Sequence, residues 1–583
     1  MSFVWMIGGL LFSIRREQEQ TVKLDSYPLF SIIIPAHNEE VIIGMVLNNL
    51  QGLTYPNYEV IVVDDASTDK TGDIIDNLVM ANKPWLRVIH LKENRGKANA
   101  LNMGIMASKG HFLVTIDADC MLDKNAIQWF AFHLLSYPRV GAITGNPRVW
   151  NRTALLGKIQ TGEYSSIIGL IKRTQRIVGK LLTVSGVIAA YRKSAILSCG
   201  LFDSDTVTED IDITWKLQRQ FWDVRFEPRA LCWVLVPETL EGLWRQRVRW
   251  AQGGLEVLIK HLGIWTNFRY RRIWPIYVEY SLGVIWALAL SGTALAWLIL
   301  ELVKFICSHH LLAAHLPMVY AFGQTLPRLI NPLYPQWYGS VLCLACLLAF
   351  LVSFVVDQKY EKNIMKYYFW VVWYPMVYWV LIATTTIKAL YNVFIRRKRP
   401  ATWKSPDRGL HTLKSYPKRE AVSLEESRSG TAYPEIIDEK NLRTTKRVVV
   451  ETSITLGFWG LTFYLLIIFL TFLLWLSGLK LMYSNIIVGG YPEMAGLFAK
   501  GMLITTVIII ILLLWSYYNM ALIKITGERR KSQVFISFDQ DMADLFNIDI
   551  EVYREIIDSP VIAVSIKQDK LVISKIDLPT FQR

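Results

Sequence analysis

The chain has 583 residues, 52% of them hydrophobic and only 19% charged, which is too long and too apolar for one soluble domain. Its net charge of +14 does not point to nucleic acid, because the densest basic runs, Arg396–Arg399 and Arg529–Lys531, follow apolar stretches, the position of basic residues that mark the cytosolic side of membrane helices. Six widely separated cysteines exclude a disulfide framework, and Cys343 and Cys346, although spaced C-x-x-C, lie in an apolar run and read as packing residues.

Residues 1–27 open with an apolar stretch, Met1–Ile14, too short to span a bilayer and followed by Arg15 and Arg16. With no small-residue cleavage site it reads as an interfacial helix or the cytosolic end of a longer one, not as a signal peptide. Residues 28–239 read as an α/β unit. Apolar runs at Phe30–Ile34, Tyr58–Val63, Leu86–Leu91 and Phe112–Ile116 alternate with helical stretches such as Glu39–Leu50 and Lys97–Met106, the pattern of a parallel sheet with helical crossovers. In such sheets ligands bind beyond the carboxyl ends of the strands.

Residues 240–275 read as interfacial. In the helix predicted over Glu241–Lys260, Trp244, Val248, Ala251, Leu255 and Leu258 share one apolar face, with Arg245 and Arg249 elsewhere. Membrane-spanning candidates are Ile276–Ile306, Trp337–Val356 and Tyr367–Ile395, then, beyond a polar linker at 396–446, Ile454–Leu476 and Leu497–Ile523 within 447–526. Residues 527–583 read as a small polar tail with β-like runs at Val561–Ile566 and Lys570–Ile573. Three simple crossings would put the Arg-rich start of the linker outside, so the charge rule requires that one of the first three candidates not cross simply.

The strand ends carry the chemistry. Pro35, His37 and Glu39 follow the first strand, Asp64 and Asp65 the second, and Asp117 and Asp119 the fourth. A crevice lined by carboxylates suits a divalent cation and a phosphate-bearing ligand, and Mg2+ or Mn2+ takes such oxygen ligands; Asp117 and Asp119 are the metal candidates. Lys97, at a strand-to-helix turn, is placed to offset phosphate charge. Thr208-Glu209-Asp210 reads either as a helix N-cap or as the source of a general base. In Gln246-Arg247-Val248-Arg249-Trp250 an Arg can clamp a pyrophosphate and a Trp can stack on a sugar, which is compatible with a Trp-anchored interfacial helix. His309, His310 and His315 read as a polar external loop.

Together these strings resemble glycosyltransferase family 2, whose processive members carry an acidic loop after strand two, Asp-x-Asp, Thr-Glu-Asp and Gln-x-x-Arg-Trp in this order, here Asp65, Asp117/Asp119, Thr208–Asp210 and Gln246/Arg249/Trp250. Residues 144–148, 162–175 and 185–190 further resemble its poly-β-1,6-N-acetylglucosamine synthases, with the likeness running through Ser405–Gly409. From about Glu435 the chain is similar to their accessory subunit PgaD: two membrane helices, Tyr518-Asn519 and a short cytosolic tail. The family's N-terminal membrane region is usually longer than Met1–Ile14.

The resemblance implies a GT-A glycosyltransferase domain (α/β, Rossmann-like, mainly parallel sheet) plus an α-helical transmembrane region. It implies UDP-N-acetylglucosamine (UDP-GlcNAc) as donor, the 6-hydroxyl of the growing polysaccharide as acceptor, inversion at the anomeric carbon, Mg2+ or Mn2+, and cyclic di-GMP as activator. The place would be the bacterial inner membrane, multi-pass, with a cytosolic catalytic domain, periplasmic and outer-membrane export partners, and no nucleic acid polymer. The roles carried over are Asp210 with Glu209 and Arg249 in catalysis; Pro35, His37, Glu39, Asp64, Asp65, Lys97, Asp117, Gln246 and Arg249 on the donor; Trp250 on the acceptor; Asp119 with Asp117 on the metal. Alternatives are another processive synthase (chitin, hyaluronan or cellulose) or a transferase onto a lipid carrier, against which Gln246–Trp250 argues. An inactive sugar-nucleotide sensor or passive polymer transporter would call for degraded motifs, and none is degraded.

Overall fold

The computed structural model describes residues 2–18, 23–81, 84–307, 318, 337–395, 436–438, 443–476, parts of 500–521, 538–567 and 570–575. The basic runs at 396–399 and 529–531, the three histidines at 309–315, the 405–409 string and Asn519 lie outside the described residues.

Helix α1 (Ser2–Arg16) leads into strand β1 (Phe30–Ala36), α2 (Ile43–Leu50), β2 (Tyr58–Asp64), α3 (Thr71–Met80), β3 (Leu86–Leu91), α4 (Lys97–Ala107) and β4 (Phe112–Ile116). These four strands are parallel, side by side as β3-β2-β1-β4. Both faces are covered: Ile32 and Ile34 pack into one core and Ile33 into the other, which is why β1 reads as an unbroken apolar run. The sheet continues through β5 (Cys120–Leu122), α5 (Ala126–Ser136), β6 (Val140–Val149), α6 (Leu155–Glu163), a π-helical turn at Tyr164–Leu170, α7 (Ile171–Val178), β7 (Ile188–Arg192), α8 (Lys193–Ser198), α9 (Glu209–Arg219) and β8 (Asp223–Val234), with β7 antiparallel to both β4 and β6.

Then come α10 (Leu240–Lys260), α11 (Trp274–Cys307), α12 (Trp337–Asp357), α13 (Trp379–Phe394) and α14 (Thr445–Leu476). Helix α11 has 34 residues, about 50 Å at 1.5 Å per residue, enough to cross a ~30 Å hydrocarbon core. Its Ile285, Leu295, Leu302 and Phe305 are more than half exposed, which a soluble core helix would not tolerate. With Thr445–Ile467, which is also long and apolar enough to cross, it marks a membrane protein.

Three expectations change. Tyr367–Ile395 is not one helix: a 3-10 segment (Ile364–Val372) and a π segment (Tyr374–Tyr378) precede the 16-residue α13, because apolarity sets burial but not the hydrogen-bonding period. In α10 the buried residues are Gly242, Leu243, Gln246, Arg247, Gly253, Gly254, Leu255 and Val257: of the apolar stripe drawn in sequence Leu255 is buried, whereas Trp244, Val248, Ala251 and Leu258 are half-buried, since a buried charge, Arg247, is satisfied beside them. Nor does the tail stand apart. Helices α15 (Phe538–Leu545) and α16 (Ile550–Asp558) precede β9 (Val561–Lys567) and β10 (Lys570–Lys575), and β9 adds parallel to β3 to complete the ten-stranded order β10-β9-β3-β2-β1-β4-β7-β6-β8-β5.

The two regions interlock. Buried Asp357, ending α12, accepts from Arg148 (2.7 Å), Arg173 (3.0 Å) and Ser165 (2.5 Å), and Arg173 also reaches Glu17 beyond α1 at 2.7 Å. Cys343 and Cys346 are buried among the packed helices. Helix α1 rests on Leu170 and Ala349 through Met6 and leaves Phe3, Ile7, Leu10 and Ile14 exposed.

Candidate active site

The loop after β1 and the loop after β2 interlock at the sheet's carboxyl edge. Asn38 (φ 56°) and Ala66 (φ 53°) are both left-handed without being glycine, local strain of the kind that collects at functional sites. Pro35 lies within β1, paired with Val63. His37 Nδ1 bonds the carbonyl of Asp65 at 2.8 Å, while its Nε2 accepts from Asn94 at 3.1 Å, which fixes the tautomer. Glu39 is buried, its amide donating to Thr71 Oγ1 at 2.7 Å.

Asp65 is fully buried and accepts from the amides of Arg95 and Gly96, both at 2.9 Å. Burial raises its pKa, against the lowering effect of those two N–H groups. Gly96 has φ 86°, open to glycine at little cost, and this turn swings Lys97 onto the start of α4. Asp64 accepts from the amide of Ser67 (3.0 Å) and meets His90 Nδ1 at 3.0 Å; the other His90 nitrogen meets Asp76 at 2.9 Å. Burial would depress His90, but the two carboxylates outweigh it and raise it to about 9.

Lys97 joins the acidic loops. Its Nζ lies 2.7 Å from Asp117 and 3.0 Å from Glu209, and donates to the carbonyl of Gly186 at 3.3 Å. Burial alone would lower it; Asp117 and Glu209 hold it above its ordinary value. Asp210 accepts from the amides of Gly186 (3.1 Å) and its own neighbour Ile211 (2.9 Å). Burial, with Glu209 beside it, pushes Asp210 up to about 6 in spite of Lys97. Thr208 stands at the N-cap position of α9, its carbonyl accepting from the amide of Asp212 at 3.4 Å, but its hydroxyl makes no capping hydrogen bond. The side chain fills the space against Gly253 of α10 instead. Asp119 is buried just before β5, and its charge is felt by Cys120 and Tyr164.

The residues from α10 divide. Gln246 is buried and accepts from Arg247 at 2.8 Å. Arg247, rather than Arg249, is the buried arginine: it bonds Glu163 at 2.6 Å and the Tyr378 hydroxyl, and lies 4.0 Å over the Trp250 ring. Arg249 is exposed and Trp250 half-buried. The structure thus connects Asp65, Lys97, Asp117, Glu209 and Asp210 in one cluster, and among the described residues no hydrogen bond or ion pair ties Arg249 to it. Sequence reasoning missed Gly186, Glu163, Arg247, Tyr378, His90 and the Gly253-Gly254 pair. Gly186, Glu163 and Arg247 lie in strings that carry the resemblance, Arg247 between the motif positions Gln246 and Arg249, whereas the others gave no period or spacing signal.

Sequence comparison identifies two regions: residues 31–199 match the family described as glycosyl transferase family 2, and residues 436–572 match PgaD-like protein. The poly-beta-1,6-N-acetyl-D-glucosamine synthase of Staphylococcus aureus (strain COL) is 35% identical over 419 residues, covering 70% of this chain and 96% of the relative. That of Staphylococcus epidermidis is 34% identical over 416 residues, with the same shares. The chain belongs to the poly-β-1,6-N-acetyl-D-glucosamine synthase family. Among solved structures, mannosyltransferase PcManGT from Pyrobaculum calidifontis, in complex with GDP-Man and Mn2+, is similar at 19% identity and TM-score 0.43, over 68% of this chain and 99% of that one, too distant a likeness to speak for substrate or metal. As a member of the synthase family the chain is a glycosyltransferase with a GT-A domain followed by a helical membrane region, and it carries a PgaD-like region that includes β9.

Proposed function

We propose that the chain polymerises N-acetylglucosamine from UDP-GlcNAc into a β-1,6-linked polysaccharide, with inversion at each transfer, and feeds the product into the membrane region for export. The observation that carries the reading is the single connected cluster of Asp65, the Arg95–Gly96 turn, Lys97, Asp117, Glu209 and Asp210. Asp65 and Asp64, with Pro35, His37 and Glu39, would hold the nucleoside. Asp210 accepts the proton of the acceptor 6-hydroxyl as its oxygen attacks C1. The C1–O bond to the diphosphate breaks, and UDP leaves with the bonding electrons. A carboxylate raised to about 6 is suited to this task near neutrality. Lys97, and Arg249 from α10, add positive charge on the leaving-group side. Trp250 offers a flat face to the terminal sugar.

The donor set fits a divalent cation: Asp117 and Asp119 put two carboxylates at one strand end, with Lys97 the cation already there. When bound, Mg2+ or Mn2+ would screen the diphosphate and stabilise the departing UDP. The catalytic domain faces the cytosol of a bacterial inner membrane crossed several times. Export partners lie beyond that membrane, and the PgaD-like region makes cyclic di-GMP the expected activator.

The test is product chemistry in vesicles holding the purified chain, UDP-GlcNAc and Mg2+ or Mn2+. A 1,6-linked N-acetylglucosamine polymer keeps its 3,4-diol and is cleaved by periodate, whereas a 1,4-linked one resists. Periodate-sensitive amino-sugar polymer with stoichiometric UDP release is expected. A resistant product would assign a chitin-like activity, and no UDP release would favour a sensor or transporter. Asp210→Asn should abolish synthesis while UDP still binds; normal turnover would end the assignment of the base.

A further inference from the structure

Lys172 is a buried lysine that the transfer reaction as described leaves unused. It lies on α7, 6% exposed, and donates to the hydroxyl of Thr144 on β6 at 3.2 Å, its one hydrogen bond among the described residues. No carboxylate lies within ion-pair distance of it among those residues. A buried lysine without such a partner is costly, and burial lowers its pKa to about 7, with the charge of Asp210 the largest opposing influence.

The Thr144 hydroxyl is a junction, because it also accepts from the amide of Ser185 at 2.7 Å. The next amide in the chain, that of Gly186, donates to Asp210 at 3.1 Å, and the Gly186 carbonyl accepts from Lys97 at 3.3 Å. A Cβ at Gly186 would press on the Asp210 carboxylate and on Lys97, so the loop meets the base with its bare backbone. A short chain of bonds therefore runs from Lys172 to the catalytic carboxylate by way of Thr144 and the Ser185–Gly186 peptide.

We propose that Lys172 is a positioning residue for glycosyl transfer: it locks the Thr144 hydroxyl and so holds the Ser185–Gly186 loop on Asp210, while placing a positive charge behind that carboxylate. The inference rests on the reading of Asp210 as the base. The charged and titratable groups that face Asp210 are Glu209 on its own helix, Lys97 from α4, Lys172 from α7 and Tyr191 from β7, with Asp117 acting through Lys97.

The experiment is a pH–rate profile of the full chain in vesicles. Lys172→Met is expected to lower kcat about tenfold with little change in donor KM. Its acid limb should move up by about one pH unit, because a carboxylate that loses a nearby cation is easier to protonate. Lys172→Arg should restore much of both. Thr144→Val, which removes the hydroxyl at nearly constant volume, should lower kcat with a smaller move of the limb, and Thr144→Ser should recover it. A folded Lys172→Met protein with wild-type kcat and an unmoved limb overturns the proposal. Should Lys172→Met not fold, wild-type kcat in Thr144→Val overturns it. If Asp210→Asn is dead while these variants are normal, only this inference fails; an active Asp210→Asn would remove the base it depends on.

Discussion

His90 carries a stability term whose sign is set by its neighbours. Held between Asp64 and Asp76, it has a folded pKa of about 9 against roughly 6.5 in an unfolded chain. The stabilisation is present in full below about pH 6.5 and is lost as pH rises through about 9. His90→Gln should therefore lower the melting temperature clearly at pH 6, by on the order of 2 kcal/mol of stability, and hardly at all at pH 10. Equal losses at both pH values would show that the ring matters only as packing. Asp210 gives the complementary prediction for rate: as the base it must be ionised, so kcat should fall as pH drops through about 6. A flat profile down to pH 5 would remove it from that role.

At the scale of elements, α10 joins the start of α9, where the proposed base stands, to the long apolar helix α11. Gly253 lets the helix lie directly on Thr208, and Gly254 lets it lie on the Tyr280 hydroxyl of α11. Gly253→Ala should displace the start of α9, cost kcat about tenfold and lower stability by ~1–3 kcal/mol through overpacking against Thr208. Gly254→Ala should destabilise the helix packing, and adding Tyr280→Phe should recover part of the loss; no recovery would place the strain elsewhere. These glycines also show where sequence stops being legible. The strands β1 to β4 could be read because sheets covered on both faces need continuous apolar runs, and the loop chemistry followed from where those runs end. The buried face of α10 could not, because the charge of Arg247 is met there by Glu163, assisted by Tyr378, which lie 84 and 131 residues away in the chain. Likewise Thr208 has the side chain of an N-cap, and only the neighbouring helix shows that it is spent on packing.

For the whole molecule, the PgaD-like region does more than add the apolar helix α14, part of which is long enough to cross a membrane. Its strand β9 pairs with β3, its Val564 carbonyl accepts from the amide of Lys92 at 3.1 Å, and Arg87 of β3 grips the carbonyls of Ile556 (2.7 Å) and Ser559 (3.3 Å). Met542, Tyr553, Ile556 and Ile562 share a core with Ile89 and with Ala100 and Met103 of α4. The turn between β3 and α4 supplies both amides that hold Asp65 and also carries Lys97, so both ends of that turn are braced by the C-terminal strand and helices. Covering an edge strand in this way satisfies its free backbone groups as well. Ile562→Asp, which buries a carboxylate in that core, should loosen the tail, expose it to protease and raise donor KM several-fold, because the turn loses its brace. On the proposed reading the base stands on α9, whose Ile213 and Leu217 meet the tail only through the packing of Phe546, whereas β3 is hydrogen-bonded to it, so kcat at saturating donor should fall less than donor KM rises. A tail released by protease with donor KM unchanged would show that the turn holds its shape alone, and would confine the PgaD-like region's contribution to the apolar part around α14.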